Sequence, residues 1–261
     1  MDKIEQRKKQ IKDLLSTTEF LTADSLAATL GVTGATIRKD LREMEANYEV
    51  YRSRGLVSLV RPKIIDKSIN EKIFIRAEEK KSIGAAAAAM IGKNDAILIT
   101  SGSTIDSMAR QIEADGSLSV VTTSIGVALA LSQKPDIDVM ILGGRLIRNS
   151  LSVRDDYSIQ GLRNISCTKL FFSCDGLDLG TGVITAFVEE ARMTAAMMKA
   201  STRKILLADS SKIGKTGLGK ICDISDVDVL ITDPEIQWSV RQEFEKMGVS
   251  VVIAGEEGYR E

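Results

Sequence analysis

The chain has 261 residues, 44% of them apolar and 27% charged, which is enough to bury a sizeable core and excludes a disordered chain. It contains no histidine, so a histidine general base, a Ser-His-Asp triad and any zinc site that needs imidazole are excluded. The net charge of −1 divides unevenly: residues 1–63 carry 12 Lys/Arg against 9 Asp/Glu, and the remainder 23 against 27. A small basic head on a larger acidic body hints at an anionic partner for the head.

Cys167, Cys174 and Cys222 are odd in number and match neither a metal-ligand spacing nor a disulfide framework, which suits a reducing cytoplasm. Residues 1–10 are too charged for a signal peptide, and no apolar run approaches ~20 residues, so neither secretion nor a membrane span is expected. No cofactor or metal site is expected either.

In chain order, Ile4, Ile11, Leu14 and Leu15 fall at helical spacing, with Arg7, Lys8, Lys9 and Lys12 between them. Thr22 is placed to cap a short helix over 23–30 with Leu26, Ala27 and Leu30 on its inner face. Gly31-Val32 breaks it, and Thr33 is placed to cap a third helix. There Ile37, Leu41 and Met44 make the apolar face, while Gly34, Ala35, Thr36, Arg38, Lys39 and Arg42 face outward. Two short helices joined through a glycine turn, the second presenting small residues and then cations, form a helix-turn-helix. Its small residues allow deep entry into the major groove, and Arg38 and Lys39 can reach base edges or phosphates. Residues 50–60 alternate like a hairpin turning at Gly55, with Arg52 and Arg54 on a basic wing. DNA is thus the expected partner of residues 1–60.

Residues 61–70, with Pro62, read as a linker. A long helix over 71–91 follows, then short β-rich runs at 96–100, 119–122, 138–142, 169–173, 204–208, 227–232 and 249–253. Helical patterns at 104–113, 125–132, 188–200 and 235–247 alternate with them, so residues 71–261 read as an α/β domain with a mostly parallel sheet. Ligands of such sheets sit at the carboxyl ends of the strands. Ser101, Gly102, Ser103 and Thr104 end the first run and open a helix, as a cradle for a phosphate or carboxylate or as an ordinary tight turn. Thr123-Ser124 and Gly143-Gly144 recur at the same edge, and Arg145 is a further candidate for anion contact. Gly214–Lys220 has a G-x-x-x-x-G-K skeleton, but Ile221 stands where a magnesium-binding hydroxyl belongs, so a nucleotide loop is not expected.

Thr33-Gly-Ala-Thr-Ile-Arg-Lys-Asp-Leu41 resembles the recognition-helix signature of the DeoR family of bacterial transcriptional regulators. Thr100–Thr104, Val121–Ser124, Ile141–Gly144, Cys174–Gly176, Val188–Ala191 and Leu207–Lys212 fall in that family's order and spacing. The resemblance implies a winged helix-turn-helix head on a ribose-5-phosphate-isomerase-like sensor domain. It also implies a sugar-phosphate effector held by the Ser/Thr-rich turn, with Asp175, Glu189 and Lys204 facing the sugar, and with Gly176 and the family's two other recurring lysines, Lys81 and Lys212, among the effector-binding residues. On it, the protein is a cytoplasmic repressor of a carbohydrate operon, acting as a dimer or tetramer on operator DNA. Arg154-Asp155-Asp156 departs from the family after Ser152-Val153, where a glycine is usual. Two rivals remain: a sugar-phosphate isomerase using Asp175, Glu189 and Lys204 for enediol chemistry, and a DNA-binding scaffold with a vestigial pocket.

Overall fold

The computed structural model describes residues 3–18, 20–47, 49–53, 55–59, 67–114 and 116–256. Two units emerge, one of residues 1–62 with 237–243, the other of 63–236 and 244–261.

The head starts with α1 (Lys3–Thr17), β1 (Leu21–Thr22), α2 (Ala23–Leu30) and α3 (Gly34–Ala46), then β2 (Val50–Ser53) and β3 (Leu56–Leu59). Thr22 caps α2, its hydroxyl accepting from the Ser25 N–H, while Ser25 returns the bond to the Thr22 N–H. Gly31 ends that helix at φ +63°, in the left-handed region where a Cβ is penalised. Thr33 then caps α3 by accepting from the Thr36 N–H. Ile11, Leu15, Leu26, Ile37, Leu41 and Met44 pack together with Val50 and Val57. Each such side chain contributes about 1.5–3 kcal/mol by leaving water. Ile4, expected on that face, is exposed. β3 lies between β1 and β2 in an antiparallel sheet, so the expected hairpin forms.

The second unit begins with α4 (Ile69–Lys72) and α5 (Ala77–Ala88). A single helix was expected over 71–91; instead the chain breaks at Arg76, which takes φ +53°. The cause is long-range: Arg76 reaches Glu235 at 2.8 Å, Asp233 at 3.3 Å and Asp209 at 3.6 Å, so an acidic cluster far along the chain holds the turn.

Next come β4 (Ala96–Ile99), α6 (Ser103–Gln111), β5 (Leu118–Thr122), α7 (Ile125–Leu131) and β6 (Ile137–Ile141). A hairpin of β7 (Leu146–Ile147) and β8 (Ser152–Val153) precedes α8 (Asp156–Gly161) and β9 (Cys167–Ser173). Then follow β10 (Gly176–Asp178), β11 (Gly182–Thr185), α9 (Val188–Lys199), β12 (Ser201–Leu207), β13 (Gly219–Cys222), β14 (Val229–Thr232), α10 (Trp238–Lys246) and β15 (Ser250–Ile253).

Seven strands form one parallel sheet in the order β15-β14-β12-β9-β4-β5-β6. Its core gathers Ile97, Ile99, Phe171, Ile205, Leu207 and Ile231 from the strands with Ile83, Ile105 and Met108 from the helices. Where both faces are covered, as at residues 97–99 of β4 and 229–231 of β14, the strand reads as an unbroken apolar run. A side sheet β10-β11-β13 was not expected; Gly219-Lys220 opens its last strand, so the G-x-x-x-x-G-K stretch meets no helix.

Chain order runs outward from the β4/β9 pair in both directions: β4, β5, β6 to one side, β9, β12, β14, β15 to the other. That pair is the switch point, where the loops leaving adjacent strands diverge and open a crevice at their carboxyl ends.

Candidate functional site

On the head, α3 presents Ala35, Arg38, Lys39 and Arg42 as exposed residues, with Thr33 exposed and Gly34 and Thr36 half-buried beside them. Arg38 donates to Asp24 Oδ1 at 3.0 Å, while Lys39 and Arg42 form no ion pair among the described residues. Arg52 lies 3.7 Å from Glu45 of α3, and Arg54 falls outside the described residues. Three cations of α1 are engaged within the head. Arg7 pairs with buried Asp40, Lys8 with Glu43 at 3.1 Å and Lys12 with Glu49 at 3.0 Å, fastening α1 to α3 and the turn after it.

The crevice at the switch point is lined by Ser101, Gly102, Ser103 and Thr104 after β4 and by Ser173, Cys174 and Asp175 after β9. Gly102 takes φ +133°, and a Cβ there would run into the Ser173 hydroxyl, so only glycine lets the loop turn against β9. Ser173 Oγ donates to the Ser101 carbonyl at 3.0 Å, tying the two strand ends together. Ser103 opens α6, whose first N–H groups and dipole favour an anion at this place.

Around the loop stand four cations, Lys67, Lys72, Arg154 and Lys212, against two carboxylates, Asp175 and Glu190. Lys72 donates to Asp175 Oδ1 at 2.9 Å; Asp175 Oδ2 accepts from Thr185 Oγ1 at 3.0 Å and the Ala186 N–H at 3.1 Å. Burial opposes the charge on Asp175, but Lys72, the Ala186 N–H and Lys212 outweigh it and hold the carboxyl below its usual range. Arg154 donates to Glu190 Oε2 at 2.6 Å and stacks over the Phe187 ring, 5.1 Å from its centroid. Burial, then the charge of Asp175, raises the Glu190 carboxyl despite Arg154. Cys174 is buried, and that burial pushes its thiol up, so it is an inert wall and not a nucleophile.

The remaining residues singled out from the sequence lie elsewhere. Glu189 is exposed and points to a neighbouring basin; Glu190, one step further along α9, faces the crevice. Lys204 sits within β12, its Nζ on the Thr202 carbonyl at 2.9 Å, away from the carboxyl end of the strand. Lys81 is exposed on α5, whereas the preceding Lys80 is buried, donating to the carbonyls of Lys72 and Ile75, with burial lowering it to about 8. Ser124 caps α7 through the Val127 N–H, and the Thr123 carbonyl accepts from Val153. The Gly143 carbonyl accepts from Ser158 Oγ at 2.7 Å, Gly144 takes φ +146° against Asp155 and Ser158, and Gly176 is buried in β10. The set Asp175, Glu189 and Lys204 is thus not brought together, which takes apart the enediol arrangement.

Sequence reasoning missed Lys67, Lys72 and Glu190, and noted Arg154 only as a departure from the family pattern. Lys67 and Lys72 belong to the segment after the linker and enter the crevice only through tertiary folding, pinned by the Ile69 N–H on the Asn149 carbonyl at 2.7 Å.

Comparison with known proteins places this geometry in a family. Residues 75–234 match the DeoR C-terminal sensor domain, and residues 7–63 match the DeoR-like helix-turn-helix domain. The chain belongs to the DeoR family of DNA-binding transcriptional regulators. It is 31% identical to the uncharacterized HTH-type transcriptional regulator YulB of Bacillus subtilis, over 88% of this chain and 89% of that protein. It is 29% identical to the HTH-type transcriptional regulator GlpR of Haloferax volcanii, over 95% and 96% of the two chains. The HTH-type transcriptional repressor GlcR of Bacillus subtilis is also 29% identical, over 88% of each. Among solved structures, ribose 5-phosphate isomerase A from Methanocaldococcus jannaschii aligns with 52% of this chain and 54% of its own, at TM-score 0.39 and 14% identity. Among the described residues no helix is long and apolar enough to cross a membrane.

Proposed function

We propose that the protein represses a carbohydrate-catabolism operon and that a phosphorylated sugar bound at the switch point controls its hold on operator DNA. The observation that carries this reading is the Ser101–Thr104 loop, set at the start of α6 with its cations exceeding its carboxylates. An excess of positive charge at a helix N-terminus suits a phosphate dianion, and the carboxylates of Asp175 and Glu190 suit sugar hydroxyls. On the DNA side, Arg38, Lys39 and Arg42 of α3 supply base and phosphate contacts, with Arg52 on the wing.

One helix-turn-helix reads a half-site, and a head with so small a charge excess makes few phosphate contacts, so the acting form is a homodimer or homotetramer. An effector that changes operator affinity ~100-fold needs a coupling of about 2.7 kcal/mol. The test is fluorescence anisotropy on the DNA upstream of the gene, repeated with a panel of sugar phosphates. Specific binding that one of them alters is expected. The absence of specific binding across a range of salt would overturn the reading, and an isomerase assay would follow.

A further inference from the structure

Beside the crevice lies a second basin, lined by Arg145, Arg148, Phe187 and Glu189, which shares Asn149 and Arg154 with it. The far basin is not a loose fringe of side chains. Its floor is the β7–β8 hairpin, which is fixed from several sides. The Arg145 N–H donates to Asp155 Oδ2 at 2.9 Å, and the Arg154 N–H donates to the Arg145 carbonyl at 3.3 Å. The Asn149 carbonyl accepts from Ile69 at 2.7 Å and the Leu151 carbonyl from Ile125 at 2.9 Å. Between the basins Arg154 is fully committed, held by Glu190 on one side and Phe187 on the other. Arg145 and Arg148 are exposed and form no ion pair among the described residues.

Charge separates the two basins by more than position. Arg154 borders both basins, and its ion pair with Glu190 is neutral as a unit. With that pair set aside, Lys67, Lys72 and Lys212 face Asp175 near the Ser101–Thr104 loop, an excess of two that matches a dianionic phosphate, whereas Arg145 and Arg148 face Glu189 in the far basin, an excess of one that matches a single negative charge. Arginine forks bind a carboxylate through paired N–H donors, and a doubly charged phosphate would meet Glu189 with only one cation in surplus.

Resting on the sugar-phosphate reading of the crevice, we infer that the effector is a phosphorylated sugar acid: its phosphate lies on the Ser101–Thr104 loop, its hydroxyls meet Asp175 and Glu190, and its carboxylate reaches Arg145 and Arg148. Recognition of the acid is then what distinguishes this regulator's signal from a neutral-ended sugar phosphate of the same length.

The test uses the full chain and matched probes that differ only in the terminal group: 6-phosphogluconate against sorbitol 6-phosphate, and 5-phosphoribonate against ribitol 5-phosphate. Fructose 1,6-bisphosphate supplies a second phosphate in place of the carboxylate. Calorimetry is expected to show one acid binding at least ~10-fold more tightly than its alditol partner, the gain of a single charge-assisted contact. The double variant Arg145→Ser/Arg148→Ser, both exposed positions, should erase that preference and leave alditol phosphate affinity unchanged. Equal affinity within both pairs, tighter binding of the bisphosphate than of either acid, or a preference that survives in the double variant would each overturn the inference while leaving a phosphate site in place. If no probe binds, the sugar-phosphate reading of the crevice falls, and this inference with it.

Discussion

Arg38, at the centre of the recognition helix, is held at 3.0 Å by Asp24 in the first turn of the preceding helix. On the proposed function, DNA would have to take Arg38 from this carboxylate before using it. Both side chains are largely exposed, so the pair itself adds at most about 1 kcal/mol to stability. Arg38→Ala should cost ~1–3 kcal/mol of specific binding and relax base preference at one position. Asp24→Asn should strengthen DNA binding with little change in thermal stability. Anisotropy on operator and scrambled duplexes checks both; unchanged selectivity in the alanine variant would remove Arg38 from base readout.

Arg7 and Asp40 make a different kind of pair. Asp40 is 2% exposed and takes two N–H groups from the guanidinium, Nε at 2.5 Å and Nη2 at 3.1 Å. Removing the cation leaves a charge buried without its counterion. Arg7→Ala should destabilise the head by about 3 kcal/mol in denaturant titration. A loss below about 1 kcal/mol would show that water or another group reaches Asp40.

Ser103 begins α6 on the floor of the crevice. Ser103→Glu sets a carboxylate where the proposed phosphate would lie, and like charges repel. Effector response should vanish while operator affinity stays at the wild-type value. A variant that still responds at the wild-type effector concentration would locate the phosphate elsewhere.

Asp106 of α6 has a buried Oδ1 with no hydrogen-bond partner in the described structure, and burial raises its carboxyl to about 6. The folded state thus holds this proton to higher pH than the unfolded chain, near 3.9. Stability contributed by the group should decline as pH rises from about 4 to about 6 and stay level above that. Asp106→Asn removes the charge, so it should flatten that slope and stabilise the protein at pH 7 by roughly 1–2 kcal/mol. Chemical denaturation at pH 4.5 and pH 7 measures both; an unchanged slope would mean that Asp106 stays ionised in the fold.

Strands of the main sheet were legible because runs such as Ala96–Ile99 and residues 229–231 are apolar throughout, and burial on both faces needs no alternation. The head was legible because Thr22, Gly31 and Thr33 mark helix ends by chemistry local to those residues. What was not legible depends on distant partners. The break at Arg76 is set by Asp209, Asp233 and Glu235, which no window around residue 76 contains. The choice between Glu189 and Glu190 is a matter of one step in helix rotation, and both carboxylates suit a first turn equally. Lys72 looked like part of a surface helix until Asp175, over a hundred positions later, came within 2.9 Å.

The pairing of β4 with β9 has a consequence for synthesis. Ile97 lies in register with Lys169, so the crevice has only one wall until the ribosome has passed β9. The head needs no such wait, since its packed core draws only on residues before 60. On the proposed function, a nascent chain released between the two points would carry a finished helix-turn-helix and no effector crevice, able to read DNA but deaf to any metabolite. Quality control of interrupted translation products would then bear on how faithfully regulation follows its signal.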